Sequence, residues 1–156
     1  MRIRFLFVGK SDEAEYARGI ERYVGRIGRF AACDVTIVKE ERPGPKPDGA
    51  RIRAKEAERL LTALAPRDLL VLLDEEGKER TSAEFAADLR SWLDSSPSAV
   101  VFAVGGAFGL DPALRLRAHA ILPLSRMTLP HQMARLVLTE QVYRATATLS
   151  GVAYSK

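Results

Sequence analysis

The chain has a single cysteine, Cys33, and only two histidines, His119 and His131, among its 156 residues. A lone thiol closes no internal disulfide, and two imidazoles with one thiol make a poor zinc cage. Cys33 is therefore read as a small buried apolar residue rather than a nucleophile. Aromatic residues make up only 7% of the composition, and no apolar run exceeds the six residues 99–104. A helix that spans a bilayer needs about 20. Arg2 and Arg4 alternate with Ile3 and Phe5, so no signal-peptide core opens the sequence. These absences point to a cytoplasmic protein with no membrane anchor. Two nucleotide signatures are missing as well. The glycine run 105–109 leads into Leu110 and Asp111, where a P-loop would continue Gly-Lys-Ser/Thr. The first strand-like segment ends in Gly9, and the next glycine is Gly19, which rules out a dinucleotide fingerprint there.

Apolar residues at 47% and charged residues at 28% are the balance of a folded globular chain. A length of 156 residues suits one core, so a single domain over residues 1–156 is expected. The net charge is +4, and it is unevenly placed. Between Lys39 and Lys55 six bases meet only Glu40, Glu41 and Asp48. From Ser125 onward, Arg126, Arg135, Arg144 and Lys156 meet Glu140 alone. Each segment has an excess of three positive charges, so the remainder of the chain is slightly acidic. Such concentration suits a polyanionic partner, although solvated basic faces are common without one.

Patterning alternates strands with helices. Residues 3–8 read as a buried strand, followed by a helix capped at Ser11 or Asp12 and running towards Phe30. A second strand is expected at 34–38. Residues 42–49 hold three prolines and two glycines, which implies a mobile basic loop. A helix at 50–64, a strand at 68–73 and a turn at 74–78 follow. Thr81 and Glu84 form a capping-box pattern for a helix reaching Leu93. Residues 99–104 form the most strand-like stretch, followed by a short helix at 112–118 and a small strand at 120–122. The last helix starts with Pro130 at its first position, where Thr128 is placed to cap it, and ends near Leu149 with Gly151 beyond. The order implies an α/β fold: a mostly parallel sheet with flanking helices.

Two segments stand where such a sheet binds ligands, outside the carboxyl ends of its strands. Gly105, Gly106 and Gly109 let a ligand approach the backbone where a β-carbon would collide, although a tight strand-to-helix turn would also select them. Leu124, Ser125, Arg126, Met127, Thr128, Leu129, Pro130 and His131 mix polar and apolar residues between the last strand and the last helix. His131 there reads as a helix-start residue. On that helix Met133, Leu136 and Val137 form one apolar stripe, and Leu138, Val142, Ala145 and Leu149 form another. A helix apolar on two sides needs cover on two sides, and a second copy of the chain would supply it.

The motifs LLDEEGK, VFAVGGAFGL, LSRMTLPHQMARLVLTEQVYRA and GVAYSK, in this order, cover essentially the whole chain. The series resembles the SPOUT-class methyltransferases, in particular the small family that methylates N3 of a pseudouridine in 23S ribosomal RNA. The resemblance implies a parallel α/β sheet whose C-terminal third is threaded as a trefoil knot, the SPOUT or α/β-knot fold. It implies a pocket for S-adenosylmethionine lined by Leu73, Gly105, Leu124, Ser125, Arg126, Met127, Thr128 and Leu129. It also implies a homodimer joined through the last helix, acting on 23S rRNA in the ribosome, with no metal. Arg144 is assigned as electrostatic contributor and Tyr154 as the residue that positions the base. The basic segment 42–55 and Arg126 would hold phosphates. Ser155 stands where the family commonly has histidine after tyrosine, so a catalytically impaired SPOUT-fold RNA-binding protein is the alternative. A small-molecule α/β enzyme using the same pocket is disfavoured by the basic tail.

Overall fold

A computed structural model describes residues 1–154 of the chain. Ser155, which carries the departure from the family's Tyr-His ending, lies outside the described residues. The elements in chain order are β1 (Arg2–Val8), α1 (Ala14–Ile27), β2 (Ala32–Val38), α2 (Gly49–Thr62), β3 (Leu69–Leu73), α3 (Ser82–Asp94), β4 (Val100–Val104), α4 (Pro112–Arg117), β5 (Ala120–Leu122) and α5 (His131–Leu149). The five strands form one sheet in the order β2-β1-β4-β3-β5, and every pairing is parallel. β4 inserts between β1 and β3, so the chain reverses its direction of progress across the sheet there.

Side-chain alternation divides the core into two layers. Ile3, Phe5 and Phe7 of β1, Val71 of β3 and Val100, Phe102 and Val104 of β4 face one way. They pack against Ile20 and Ile27 of α1, Phe85, Leu89 and Trp92 of α3, and Leu138 and Val142 of α5. Leu6, Val8, Leu70, Leu72, Val101 and Ala103 point the other way, against Ala57 and Leu60 of α2 and Leu114 of α4. A central parallel strand covered on both faces has to be apolar at every position, and β4 is buried throughout. Phe85, Trp92 and Phe102 meet edge to face with centroids 6.0–6.3 Å apart, so the largest rings join α3 to the sheet.

Local signals set the element ends with some shifts. The α3 capping box forms: Thr81 accepts from Glu84 N at 3.2 Å and Glu84 Oε2 accepts from Thr81 N at 2.7 Å. Asp48 caps α2 through Arg51 N at 3.2 Å, so the Pro/Gly segment ends at Asp48 and three bases of the 42–55 segment, Arg51, Arg53 and Lys55, stand on the expected helix. β2 starts at Ala32, two residues early, because Ala32 and Cys33 pair in register with Arg2 and Ile3. α1 has Glu13 as N-cap without a side-chain cap, in place of Ser11 or Asp12, and ends at Ile27 short of Phe30. Thr128 does not cap α5, since its hydroxyl turns to Glu75 Oε2 at 3.5 Å; Pro130 is the N-cap itself, and the helix starts at His131. Cys33 is half-buried rather than buried, because β2 is an edge strand. Its thiol is pushed up to about 12, first by burial and then by Asp34, so it stays protonated and is a poor nucleophile.

α5 is more fully covered than its two stripes implied. Leu138, Val142 and Ala145 are buried, and half-buried Leu136 of the other stripe reaches α1, where its Cδ1 would lie 2.6 Å from a β-carbon at Gly19. Met133 is left exposed.

Candidate active site

The carboxyl ends of β3 and β4 open into a cavity of about 510 Å³, within the usual size range for small-ligand sites. Three chain segments build its wall. The first is the turn after β4. Gly109 takes φ +83°, the left-handed region that favours glycine, and its N–H donates to Gly106 O at 3.2 Å to close the turn. A β-carbon at Gly105 would lie 2.7 Å from Leu110 Cδ2 and 3.2 Å from Gly109 O. Glycine is therefore required there for close packing of the turn as well as for the approach of a ligand.

The second segment is the turn after β3. Asp74 N donates to Leu122 O at 3.2 Å, and Asp74 Oδ1 accepts from Glu76 N at 2.9 Å. Arg115, from α4, bridges Asp74 at 2.6 Å and Glu76 at 3.0 Å. Asp74, Glu75 and Glu76 thus face the cavity with one guanidinium among them. Their charge exceeds that of Arg115, so the wall favours a ligand that carries positive charge.

The third segment joins β5 to α5. Leu124, Ser125, Met127, Thr128 and Leu129 border the cavity, followed by Pro130, His131 and Ala134 at the start of α5. Ser125 Oγ accepts from Met127 N at 2.9 Å, which bends the segment around the opening. Burial first, and then the charge of Arg135, hold the His131 imidazole below its usual range, so it is neutral near pH 7. Arg135 is itself buried. It donates to Gly9 O at 2.9 Å and to Val8 O, anchoring α5 to the end of β1.

Seven of the eight residues assigned to the cofactor from sequence line this one cavity: Leu73, Gly105, Leu124, Ser125, Met127, Thr128 and Leu129. Arg126 does not. Its side chain is 84% exposed and points to Glu79, 3.8 Å away. Arg144 and Tyr154 are also absent from the wall, but they meet each other, with the guanidinium carbon 4.5 Å from the ring centroid. Glu140 Oε1 fixes Arg144 through Nη2 at 2.6 Å and Nε at 3.1 Å. Tyr154 stacks edge-on to Tyr143 at 4.8 Å. The neighbouring Tyr23 hydroxyl, then burial, push the Tyr154 hydroxyl up to about 12, so it keeps its proton at neutral pH. Sequence reasoning missed Asp74, Glu75, Glu76, Arg115 and the lining role of His131. The acidic triplet after a strand was a legible signal; Arg115 carried none.

The chain matches the family model described as "Predicted SPOUT methyltransferase" over residues 1–155. It is 41% identical over 154 residues to ribosomal RNA large subunit methyltransferase H of Geobacter metallireducens, covering 99% of this chain and 98% of that one. The protein of the same name from Anaeromyxobacter sp. (strain Fw109-5) is 44% identical over 157 residues, with both chains fully covered. That from Limosilactobacillus reuteri (strain DSM 20016) is 38% identical over 159 residues, again with full coverage of both. Among solved structures, a probable methyltransferase from Bordetella pertussis Tohama I shares the fold with a TM-score of 0.57 and 18% identity, covering 93% of this chain and 96% of its own. The chain belongs to the SPOUT methyltransferase family.

Proposed function

We propose that this SPOUT methyltransferase transfers the methyl group of S-adenosylmethionine to N3 of a pseudouridine in 23S rRNA, in the cytoplasm, as a homodimer acting on the ribosome. One observation carries the reading: residues distant in sequence, Leu73, Gly105 and the segment 124–129, line a single cavity whose carboxylates outnumber its guanidinium. The relatives' name, ribosomal RNA large subunit methyltransferase H, supplies the substrate class. Among the described residues no helix is long and apolar enough to cross a membrane.

The cavity suits this donor in three respects. Its size fits a nucleoside with a short side chain. Leu73, Leu124 and Leu129 offer apolar surface for a purine ring, and the close-packed turn 105–109 presents backbone in place of side chains. Asp74, Glu75 and Glu76 favour a cation, and neutral His131 adds no repulsion. When bound, S-adenosylmethionine supplies a methyl group already activated by its positive sulfur. What the chain has to provide is placement, with the attacking nitrogen about 3 Å from the methyl carbon and in line with the leaving sulfur.

Arg144 and Tyr154 are assigned to the base. Arg144 lies ten residues beyond Ala134, the last cavity residue on α5, which is about 15 Å of axial rise on one helix. Such a separation keeps the pair away from its own cavity, and in the proposed homodimer the pair would serve the cavity of the second subunit. There the guanidinium, held by Glu140, would favour the anionic form of the attacking N3, which is weakly acidic. Tyr154, with its proton retained, would donate a hydrogen bond and orient the base, and it would not act as general base. Exposed Arg126 and the bases of segment 42–55 would contact phosphate.

The test has two stages. Calorimetric titration with S-adenosylmethionine should show binding by the wild type; none would end the cavity assignment. Ribosomes lacking the modification, incubated with labelled donor and enzyme, should take label into 23S rRNA. Donor binding without labelling would leave the RNA-binding alternative prompted by Ser155.

A further inference from the structure

Glu56 is the one acidic side chain of α2 that is buried, 4% exposed, among Ile52, Ala57 and Leu60. Its Oε1 accepts from Glu41 N at 3.2 Å, and its Oε2 is buried without a hydrogen-bond partner among the described residues. Leucine or methionine would fill this position at no desolvation cost, so the carboxyl group is unfavourable for folding alone. Its surroundings account for it. A β-carbon on Gly106 would lie 2.9 Å from Oε2 and 3.2 Å from Oε1, so the carboxyl group fills the space that a side chain would need at this position of the turn bordering the cavity. From the preceding turn of α2, Arg53 Nη1 donates to Phe108 O of the same turn at 3.3 Å. On the far side, Arg59 holds segment 39–41 through Lys39 O at 2.9 Å and the Glu41 carboxylate. Burial raises the Glu56 carboxyl above the ordinary range; the hydrogen bond from Glu41 N opposes this, as does the charge of Arg59, while the charges of Glu40 and Glu41 add to it.

We propose that Glu56 is a positioning residue for the methyl-donor cavity, a strut hydrogen-bonded to segment 39–41 through Oε1 and packed against Gly106 of the turn. The proposal rests on the cavity being the donor site. Glu56 lies outside the cavity wall, so it acts on donor affinity through the turn.

Glu56→Leu and Glu56→Gln, assayed in the full chain, test this. The leucine variant keeps the volume and removes the acceptor for Glu41 N, while glutamine keeps both the shape and that acceptor. Glu56→Leu should unfold at or above the wild-type temperature. It should nevertheless raise the donor KM and the calorimetric Kd about tenfold, leaving kcat at saturating donor and the KM for ribosomes within twofold. Glu56→Gln should restore donor affinity to within twofold of wild type. A leucine variant that binds S-adenosylmethionine as the wild type does would overturn the positioning role alone. A glutamine variant as weak as leucine would also overturn it. A wild type that binds no donor would overturn both this role and the cavity assignment.

Discussion

If the donor cavity and the Arg144–Tyr154 pair of one chain are too far apart to act together, two different dead subunits should repair each other. Gly105→Val would disable the cavity, because its β-carbon alone would stand 2.7 Å from Leu110 Cδ2 and 3.2 Å from Gly109 O. Arg144→Ala would leave the cavity intact and remove the guanidinium that Glu140 holds, a loss of roughly 10²–10³-fold in kcat by analogy with other electrostatic contributors. Each variant alone should be nearly inactive. The separation along α5 is about 15 Å of axial rise, longer than an arginine side chain, so the guanidinium of one subunit does not reach a base held at that subunit's own cavity. When the two variants are mixed in equal amounts and subunits exchange freely, half of the dimers are mixed. Every mixed dimer holds one cavity from the Arg144→Ala chain facing one intact pair from the Gly105→Val chain. About a quarter of wild-type activity per site should therefore return. The assay is label transfer to unmodified ribosomes, with native mass spectrometry to confirm the mixed dimer. Mixed dimers without activity would refute assembly of the site across the two-fold axis, and a monomeric wild type would refute it sooner.

Three further outcomes follow from the geometry. Arg126→Ala should leave the Kd for S-adenosylmethionine within twofold, since Arg126 lies outside the cavity wall, and should raise the ribosome KM with a salt dependence reduced by about one counterion. Thr81→Ala breaks the capping box of α3 and should cost about 1 kcal/mol, or roughly 2–4 °C in Tm, measured by thermal unfolding, with donor affinity unchanged. The imidazole of His131 is held below its ordinary range, so the folded chain takes up that proton at a lower pH than the unfolded one. Its contribution to stability is therefore present above about pH 6.5 and is lost as the pH falls through the folded-state value. Denaturant unfolding should show the wild type weakening more steeply than His131→Gln between pH 7 and 5; parallel curves would contradict the shift.

Much of the scaffold was legible because its signals are local. A run of six apolar residues at 99–104 belongs in a strand covered on both faces, and β4 is buried from end to end. Thr81 and Glu84 are three residues apart, and that spacing alone suffices for the reciprocal cap. Thr128 misled because its hydroxyl had a competitor, Glu75, that is 53 residues away. The two stripes of α5 misled in part for the same reason, since α1 covers Leu136 from within the chain. The family resemblance groups Arg126 with its neighbours in the segment 124–129, but the bend held by Ser125 turns it outward to Glu79.

From residue order alone came the alternating strands and helices, the glycine turn, the proline-rich segment and the motif series that marks the family; each depends on spacings within a few turns of chain. Only the tertiary structure decided that Leu73, Gly105 and the segment 124–129 share one cavity. It also decided that Arg115 partly neutralises the acidic wall, that Glu56 lies beneath Gly106, and that Arg144 stands far along α5. The physical reason is the strand order. Once β4 inserts between β1 and β3, the ends of β3 and β4 become neighbours, and no periodicity along the chain encodes which strand ends will meet.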